Sequence, residues 1–211
     1  MIRALILDLD NTIFDTSSIS PVIFKDLFAL MDKYKNEVGA EKMEEAKTLM
    51  SKKAFQILAD QYGFNEELRE QGMELLRKTT YGYPIVPFTD YSFIKQVHLD
   101  KYLVTMGFEK MQQSKIRMLD LHTDFIETIV NDPDQTDETK KDVFQDIIQR
   151  NHYKAEEVLV IGDDPDSEIK AGKDLGMPTL LYDPHHEYGE DVADYRIENY
   201  KDLQKVIESI Q

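Results

Sequence analysis

The stretch Ile2-Arg3-Ala4-Leu5-Ile6-Leu7-Asp8-Leu9-Asp10-Asn11-Thr12 is a nearly unbroken apolar run that ends in two carboxylates, one residue apart, and a polar turn. Much later Val158-Leu159-Val160-Ile161-Gly162-Asp163-Asp164 repeats the pattern. Neither run alternates apolar with polar residues, as a strand with one wet face would. Both therefore read as strands covered on two sides, the mark of a parallel sheet. Tyr102 to Thr105 and Phe125 to Val130 read the same way, with Thr179 to Tyr182 as a fifth strand. Helical patterns over Glu109 to Leu119, Thr139 to Arg150 and Ser167 to Leu175 separate the later strands. Strand and helix alternating through short loops predict an α/β layered sheet.

The segment from Thr16 to Tyr83 breaks that rhythm. Phe24, Phe28 and Met31 recur at helical spacing, as do Phe55, Leu58 and Tyr62, and no strand pattern interrupts them. Such stripes are ordinary helix-packing faces. Gly39 and Gly63-Phe64-Asn65 mark turns, and Tyr83-Pro84-Ile85-Val86-Pro87 closes the segment as a stiff connector. An all-helical insertion is expected between the first strand and the second.

At 211 residues the chain can build one good core with a modest second lobe. Its formal net charge of −16 argues against a nucleic-acid polymer or an anionic membrane as partner, since both need a positive surface. A small phosphate ester remains compatible, because one metal ion and one lysine reverse the local field. The chain has no cysteine, which removes thiol catalysis and thiolate metal sites. Asp8 and Asp10 interrupt the apolar N-terminus and no small-residue cleavage site follows, so no signal peptide is expected. No run is long enough to span a bilayer. The expected location is the cytoplasm; a monomer and a homodimer are equally open.

In open α/β sheets, ligands bind beyond the carboxyl ends of the strands. Asp8, Asp10, Asp163 and Asp164 all stand at such ends. Like charges gathered there repel unless a cation joins them. Hard oxygen donors with no histidine or cysteine beside them suit Mg²⁺. Either acidic turn alone could be only a helix cap; if the two strands lie near each other, the acids converge and point to a metal site. Lys101-Tyr102-Leu103-Val104-Thr105-Met106-Gly107 adds a strand-terminal hydroxyl and a glycine turn, whose N–H groups can take anionic oxygens. Lys140 and Lys141, at the start of a helix, are the candidate cations for phosphate.

In this order the residues resemble the haloacid dehalogenase-like (HAD) hydrolase superfamily, in particular its phosphatases. Asp8-Leu9-Asp10-Asn11-Thr12 is similar to the first motif, and Leu103-Val104-Thr105-Met106-Gly107 to the second. Gln113, Lys115-Ile116 and Leu119-Asp120-Leu121 resemble the residues downstream of the second motif. Gly162-Asp163-Asp164-Pro165-Asp166-Ser167-Glu168-Ile169 resembles the fourth, with Ala171-Gly172 and Gly176-Met177 beyond it. Two departures stand out: Glu168 occupies a position that is often aspartate, and no Lys-Pro exists for the third motif, so Lys140 or Lys141 must serve.

The resemblance implies a Rossmann-like core over residues 1–15 and 88–211, with a helical C1-type cap over residues 16–87. It implies that Asp8 is the nucleophile and Asp10 the acid and base. Mg²⁺ would be held by Asp8, the Asp10 carbonyl and Asp163, with Glu168 or Asp164 ordering water. Phosphate would be bound by Thr105, Met106, Gly107 and Lys140 or Lys141. Asp10 favours phosphoryl chemistry over carbon–halogen cleavage, because the superfamily's dehalogenases lack an acid there. A small phosphorylated metabolite, a sugar phosphate or a nucleoside monophosphate, is the implied substrate. A phosphosugar mutase of the same superfamily and a non-catalytic phosphate-binding regulator are the alternatives. Lys52, Lys53, Arg69 and Tyr81 are cap residues that could meet substrate, whereas His185-His186 reads as a loop feature.

Overall fold

Six parallel strands form the sheet at the centre of the chain: β1 (Ala4–Leu7), β2 (Asp100–Met106), β3 (Glu127–Asn131), β4 (Val158–Gly162), β5 (Thr179–Tyr182) and β6 (Tyr195–Ile197), in the order β3-β2-β1-β4-β5-β6. The structure is a computed structural model and describes residues 1–210. β1 and β4 are buried along their whole length, as two-sided coverage requires. Leu5 and Leu7 of β1 join Leu103, Leu159, Ile161 and Leu180 in the larger apolar cluster. Ala4 and Ile6 face the other way and pack with Tyr102, Val104, Val158 and Val160. The period-2 geometry of a strand thus feeds two cores at once.

The helices are α1 (Ser20–Ile23), α2 (Lys25–Lys33), α3 (Lys35–Val38), α4 (Ala40–Leu49), α5 (Phe55–Tyr62), α6 (Glu66–Lys78), α7 (Tyr91–Gln96), α8 (Glu109–Met118), α9 (Lys140–Arg150), α10 (Lys170–Asp174) and α11 (Leu203–Ser209). Val143, Phe144 and Ile147 of α9 cover the second core. Helices α1 to α6 occupy the segment between the first two strands, and their apolar stripe packs as its spacing predicts. Phe24, Met31, Phe55 and Leu58 are buried, with Phe28 and Tyr62 at the margin. Gly63 ends α5 in the left-handed conformation, and the Asn65 side chain caps α6 through the Leu68 N–H at 2.9 Å. Gly72 is needed for a different reason: a Cβ there would lie 2.4 Å from the Phe55 ring.

Three elements differ from the sequence reading. The Ser167 to Leu175 helix is a π-helical turn over Pro165–Ile169 followed by α10. β3 starts at Glu127 and, being an edge strand, is only half-buried. β6 is three residues long and α11 follows it closely, so neither offers enough period to recognise. Among the described residues, no helix is long and apolar enough to cross a membrane.

The strand order decides where a ligand can sit. The chain leaves β1 toward β2 and β3 on one side, then returns to β4 on the other. The switch point lies between β1 and β4, where ligands bind in open sheets of this order. Leu7 pairs with Ile161, and the Asp8 N–H donates to the Ile161 carbonyl at 3.0 Å. Register alone therefore brings Asp8 and Gly162-Asp163 to one place.

Candidate active site

Asp8, just past the end of β1, is buried, and Lys140 Nζ donates to its Oδ1 at 2.6 Å. The same ammonium donates to Glu168 Oε2, also at 2.6 Å. Lys140 is the first residue of α9, a start defined by a capping box between Thr139 and Asp142. Its buried stem runs inward to the carboxylates. Lys141 follows by one residue and therefore points about 100° away around the helix; it is half exposed and reaches only Asp174, at 3.9 Å. Of the two lysines, Lys140 is the one the fold places beside Asp8 and Glu168, and Lys141 lies outside that cluster.

Asp10 turns to the opposite side and has its own partners. Lys115 Nζ and the Thr16 hydroxyl donate to Oδ1, at 2.5 and 2.7 Å. Gln112 Nε2 donates to Oδ2 at 2.9 Å. The opening stretch thus resolves its own repulsion. One carboxylate meets a lysine from α9 and the other a lysine from α8, on either side of β1. Asn11, in the left-handed region at φ 54°, bends the chain away after this pair. Its side chain secures the turn by accepting from the Thr16 N–H at 3.2 Å and donating to the Ser51 carbonyl at 3.1 Å.

Thr105 stands beside this pair at the end of β2, buried, its hydroxyl accepting from Gln112 Nε2 at 2.7 Å. Gly107 has φ 141°, which favours glycine, and its N–H is used by the Asn131 carbonyl at 3.1 Å. Met106 is partly exposed and its carbonyl accepts from the same Gln112 amide at 2.9 Å.

The third strand end is built by close approach. A Cβ on Gly162 would lie 2.0 Å from Glu168 Cγ, so glycine lets the glutamate fold back over the strand. Glu168 then accepts the Asp164 N–H on Oε1 at 2.9 Å and Lys140 on Oε2. The π-helical turn aims it, an irregularity common at functional sites. Gly162→Ala is expected to destabilise the fold by about 1–3 kcal/mol, the usual effect of overpacking; chemical denaturation measures it, and an unchanged midpoint would contradict this packing.

Asp163 accepts the Thr12 hydroxyl at 3.2 Å. Carboxylate oxygens of Asp8, Asp163 and Glu168 all lie within 4.8 Å of one another. Asp164 does not join them; its carboxylate caps the turn through the Asp166 N–H at 2.9 Å. The electrostatics follow from burial. Desolvation pushes Asp163 up to about 9, with the Glu168 and Asp8 charges adding to it. It also lifts Asp8 to about 7 against the pull of Lys140. Burial acts on Glu168 too, but the Lys140 ion pair and the Asp164 N–H outweigh it and hold that group below its ordinary value. Burial likewise opposes Asp10, and Lys115 with Gln112 and Thr16 brings it below the usual carboxylate range. Full ionisation of these three carboxylates would exceed the charge of the one lysine among them. That donor set fits a hard divalent cation such as Mg²⁺.

Several residues here escape sequence reasoning. Gln112, not its neighbour Gln113, faces the site, and Lys115 is a buried partner of Asp10. Tyr200 donates to the Thr12 carbonyl at 2.9 Å and so braces the residue that holds Asp163. The cap candidates divide. Tyr81 is buried with its ring 5.1 Å from Lys115 Nζ. Lys52 pairs with Glu187 across the molecule at 2.6 Å, whereas Arg69 braces the end of α5 through Asp60, Ala59 and Phe64. Lys53 is exposed. His186 sits in the loop after β5 against Arg196 and Glu198, away from the carboxylates.

The chain is similar to known proteins over much of its length. A glyceraldehyde 3-phosphate phosphatase of Methanopyrus kandleri is 22% identical over 231 residues, covering 100% of this chain and 99% of its own. A pyrimidine 5'-nucleotidase, PynA of Streptococcus pneumoniae, is 27% identical over 107 residues, 49% of this chain and 45% of its own. The HAD-hydrolase YfnB of Bacillus subtilis, solved bound to magnesium, shares the fold with a TM-score of 0.68 and 21% identity over 98% of both chains. The profile of the haloacid dehalogenase-like hydrolases matches residues 2–176. A match over so much of the sequence decides the matter: this chain belongs to the haloacid dehalogenase-like hydrolase family.

Proposed function

We propose that the protein is a Mg²⁺-dependent phosphatase that hydrolyses a small phosphorylated metabolite through an aspartyl-phosphate on Asp8. The observation that carries this reading is the separation of two neighbouring carboxylates. Asp8 is paired with Lys140 and Asp10 with Lys115. A two-step displacement gives its two carboxylates different roles, and separate partners let each be placed independently of the other.

In the first step an Asp8 oxygen bonds to phosphorus as the ester P–O bond breaks, and Asp10 gives its proton to the departing oxygen. In the second, water bonds to phosphorus, the Asp8 P–O bond breaks, and the water proton returns to Asp10. Lys140 neutralises charge gathered at Asp8, and the Thr105 hydroxyl binds phosphoryl oxygens. Asp8, Asp163 and the Asp10 main-chain carbonyl would hold Mg²⁺, which supplies electrostatic stabilisation of phosphoryl charge. Glu168 serves as the anchor of Lys140. Residues 16–87 act as a cap over a core of residues 1–15 and 88–211, excluding water from the bound ester. The relatives' activities point to triose phosphates and nucleoside monophosphates as the first esters to try.

Removing the metal is expected to abolish hydrolysis, with activity returning on addition of Mg²⁺. Mg²⁺ should also stabilise the fold without any substrate. Saturation near one hundred times Kd gives about 2.7 kcal/mol, a rise of roughly 5–10 °C in Tm for a chain of this size. A screen of phosphorylated metabolites, with Asp8→Asn as the blank, tests the function. No Mg²⁺-dependent hydrolysis of any ester, together with no thermal shift, would overturn it.

A further inference from the structure

Asp10 is gripped by side chains from well outside the opening stretch. Each of its oxygens accepts a side-chain donor from α8, Lys115 on Oδ1 at 2.5 Å and Gln112 on Oδ2 at 2.9 Å. Both donors are buried, Lys115 with 3% of its side chain exposed. They sit one helical turn apart, at i and i+3, which places them on a single face of α8. The ammonium is further held against the Tyr81 ring, 5.1 Å from its centroid, a cation–π contact from the helical insertion.

The orientation of Gln112 is dictated by its surroundings. Its Nε2 lies at 2.7–2.9 Å from three acceptors: Asp10 Oδ2, Thr105 Oγ1 and the Met106 carbonyl. Turning the amide over would set its oxygen against a carboxylate and a carbonyl, neither of which can donate. It is therefore held this way although its Oε1 is buried with no partner among the described residues. A buried amide left half satisfied is disfavoured unless its other half does something. Here that half joins Asp10 to Thr105.

We propose that Lys115 and Gln112 are positioning residues for Asp10: a two-point clamp that fixes the direction of its carboxylate relative to the phosphate-binding Thr105. Both act on the ester only through the Asp10 carboxylate. Lys115 removes the rotational freedom of Asp10 by an ion pair that also restrains Tyr81, and Gln112 sets the carboxylate in register with the end of β2. The proposal rests on Asp10 acting as acid and base. It predicts that loosening the clamp impairs proton transfer and leaves ester binding unchanged.

The experiment compares wild type, Lys115→Met, Lys115→Arg and Gln112→Leu on two esters, p-nitrophenyl phosphate and an alkyl phosphate that the wild type hydrolyses. An aryl oxide leaves without a proton, whereas an alkoxide needs one. Lys115→Met is expected to lower kcat for the alkyl ester about 100-fold, within the range of general acid–base catalysis, with KM changed less than about twofold. With the aryl ester the expected sign is a burst of one equivalent of phenolate, because phosphoenzyme hydrolysis, which needs Asp10 as base, now lags its formation. Lys115→Arg should restore most of kcat, and Gln112→Leu should give a smaller loss of the same kind. Equal losses on both esters without a burst, or a raised KM at constant kcat, would overturn the clamp.

A crystal structure of Lys115→Met supplies a readout that does not depend on turnover. The Asp10 carboxylate should leave the position it holds beside Thr105 and Gln112. An unmoved Asp10 overturns the proposal even if activity falls. A wild type that hydrolyses no ester, with Asp10 displaced in the variant, removes the phosphatase reading and with it the catalytic role of the clamp.

Discussion

Asp8→Asn is expected to eliminate turnover, lowering kcat by roughly 10⁴-fold or more, the scale on which losing a nucleophile leaves only binding and electrostatics. An amide nitrogen has no lone pair free to attack phosphorus, and the amide oxygen lacks the charge. The substitution should do this without unfolding the chain. Lys140 keeps Glu168 as a partner at 2.6 Å, and the new amide would still offer an oxygen to the same ammonium. Burial already disfavours the Asp8 carboxylate, lifting it to about 7. Neutralising it therefore removes repulsion from Glu168 and Asp10 in the metal-free protein. Thermal unfolding should show a Tm at or above that of the wild type, with a smaller shift on adding Mg²⁺. Turnover by the purified variant within tenfold of wild type would sink the assignment of Asp8 as nucleophile.

Lys140→Met should give the opposite balance, losing both activity and stability. Lys140 is the one ammonium shared by Asp8 and Glu168, and Asp163 lies within the same cluster. Methionine fills a similar volume, so the main loss is charge rather than packing. Breaking a buried pair by removing one member destabilises by about 3–5 kcal/mol, since the remaining charges stay buried without compensation. For a chain of this size that is roughly 6–20 °C in Tm. Mg²⁺ should recover part of the stability by supplying positive charge, and little of the activity. Lys141→Met is the control. Its side chain is half exposed and lies 3.9 Å from Asp174, a separation at which surface pairs contribute little. Its effect should stay within about 0.5 kcal/mol, as for surface substitutions in general. Equal effects at the two positions would mean that the phase of α9 is not the one described.

The contrast between Lys140 and Lys141 also marks where sequence reasoning stops. Two lysines in succession at a helix start look alike on paper, and only the phase at which α9 leaves its Thr139 cap separates them. Glu168 is a similar case. As a letter it is a weak substitute for aspartate. The π-helical turn and the bare Cα of Gly162 bring its longer chain back to the strand, where both of its oxygens are used. Asp164, adjacent to a member of the cluster, turns its carboxylate to the Asp166 N–H instead.

The parallel sheet, the helical insertion and the nearness of Asp8 to Asp163 are all legible in the order of the residues. They follow from local signals: apolar runs without alternation, helical stripes, and acidic residues at strand ends. The strand register then carries the acids together with no further instruction. Which cations answer those acids is settled only in three dimensions. Lys115 lies on α8 and Lys140 on α9, far from Asp8 and Asp10 in sequence. A lysine written in a helix carries no mark of whether it meets water or a carboxylate. That depends on which face of the helix packs on the sheet, and so on the arrangement of the whole chain. The two carboxylates of the opening stretch are tolerable because the fold gives each its own lysine, one from either side of β1.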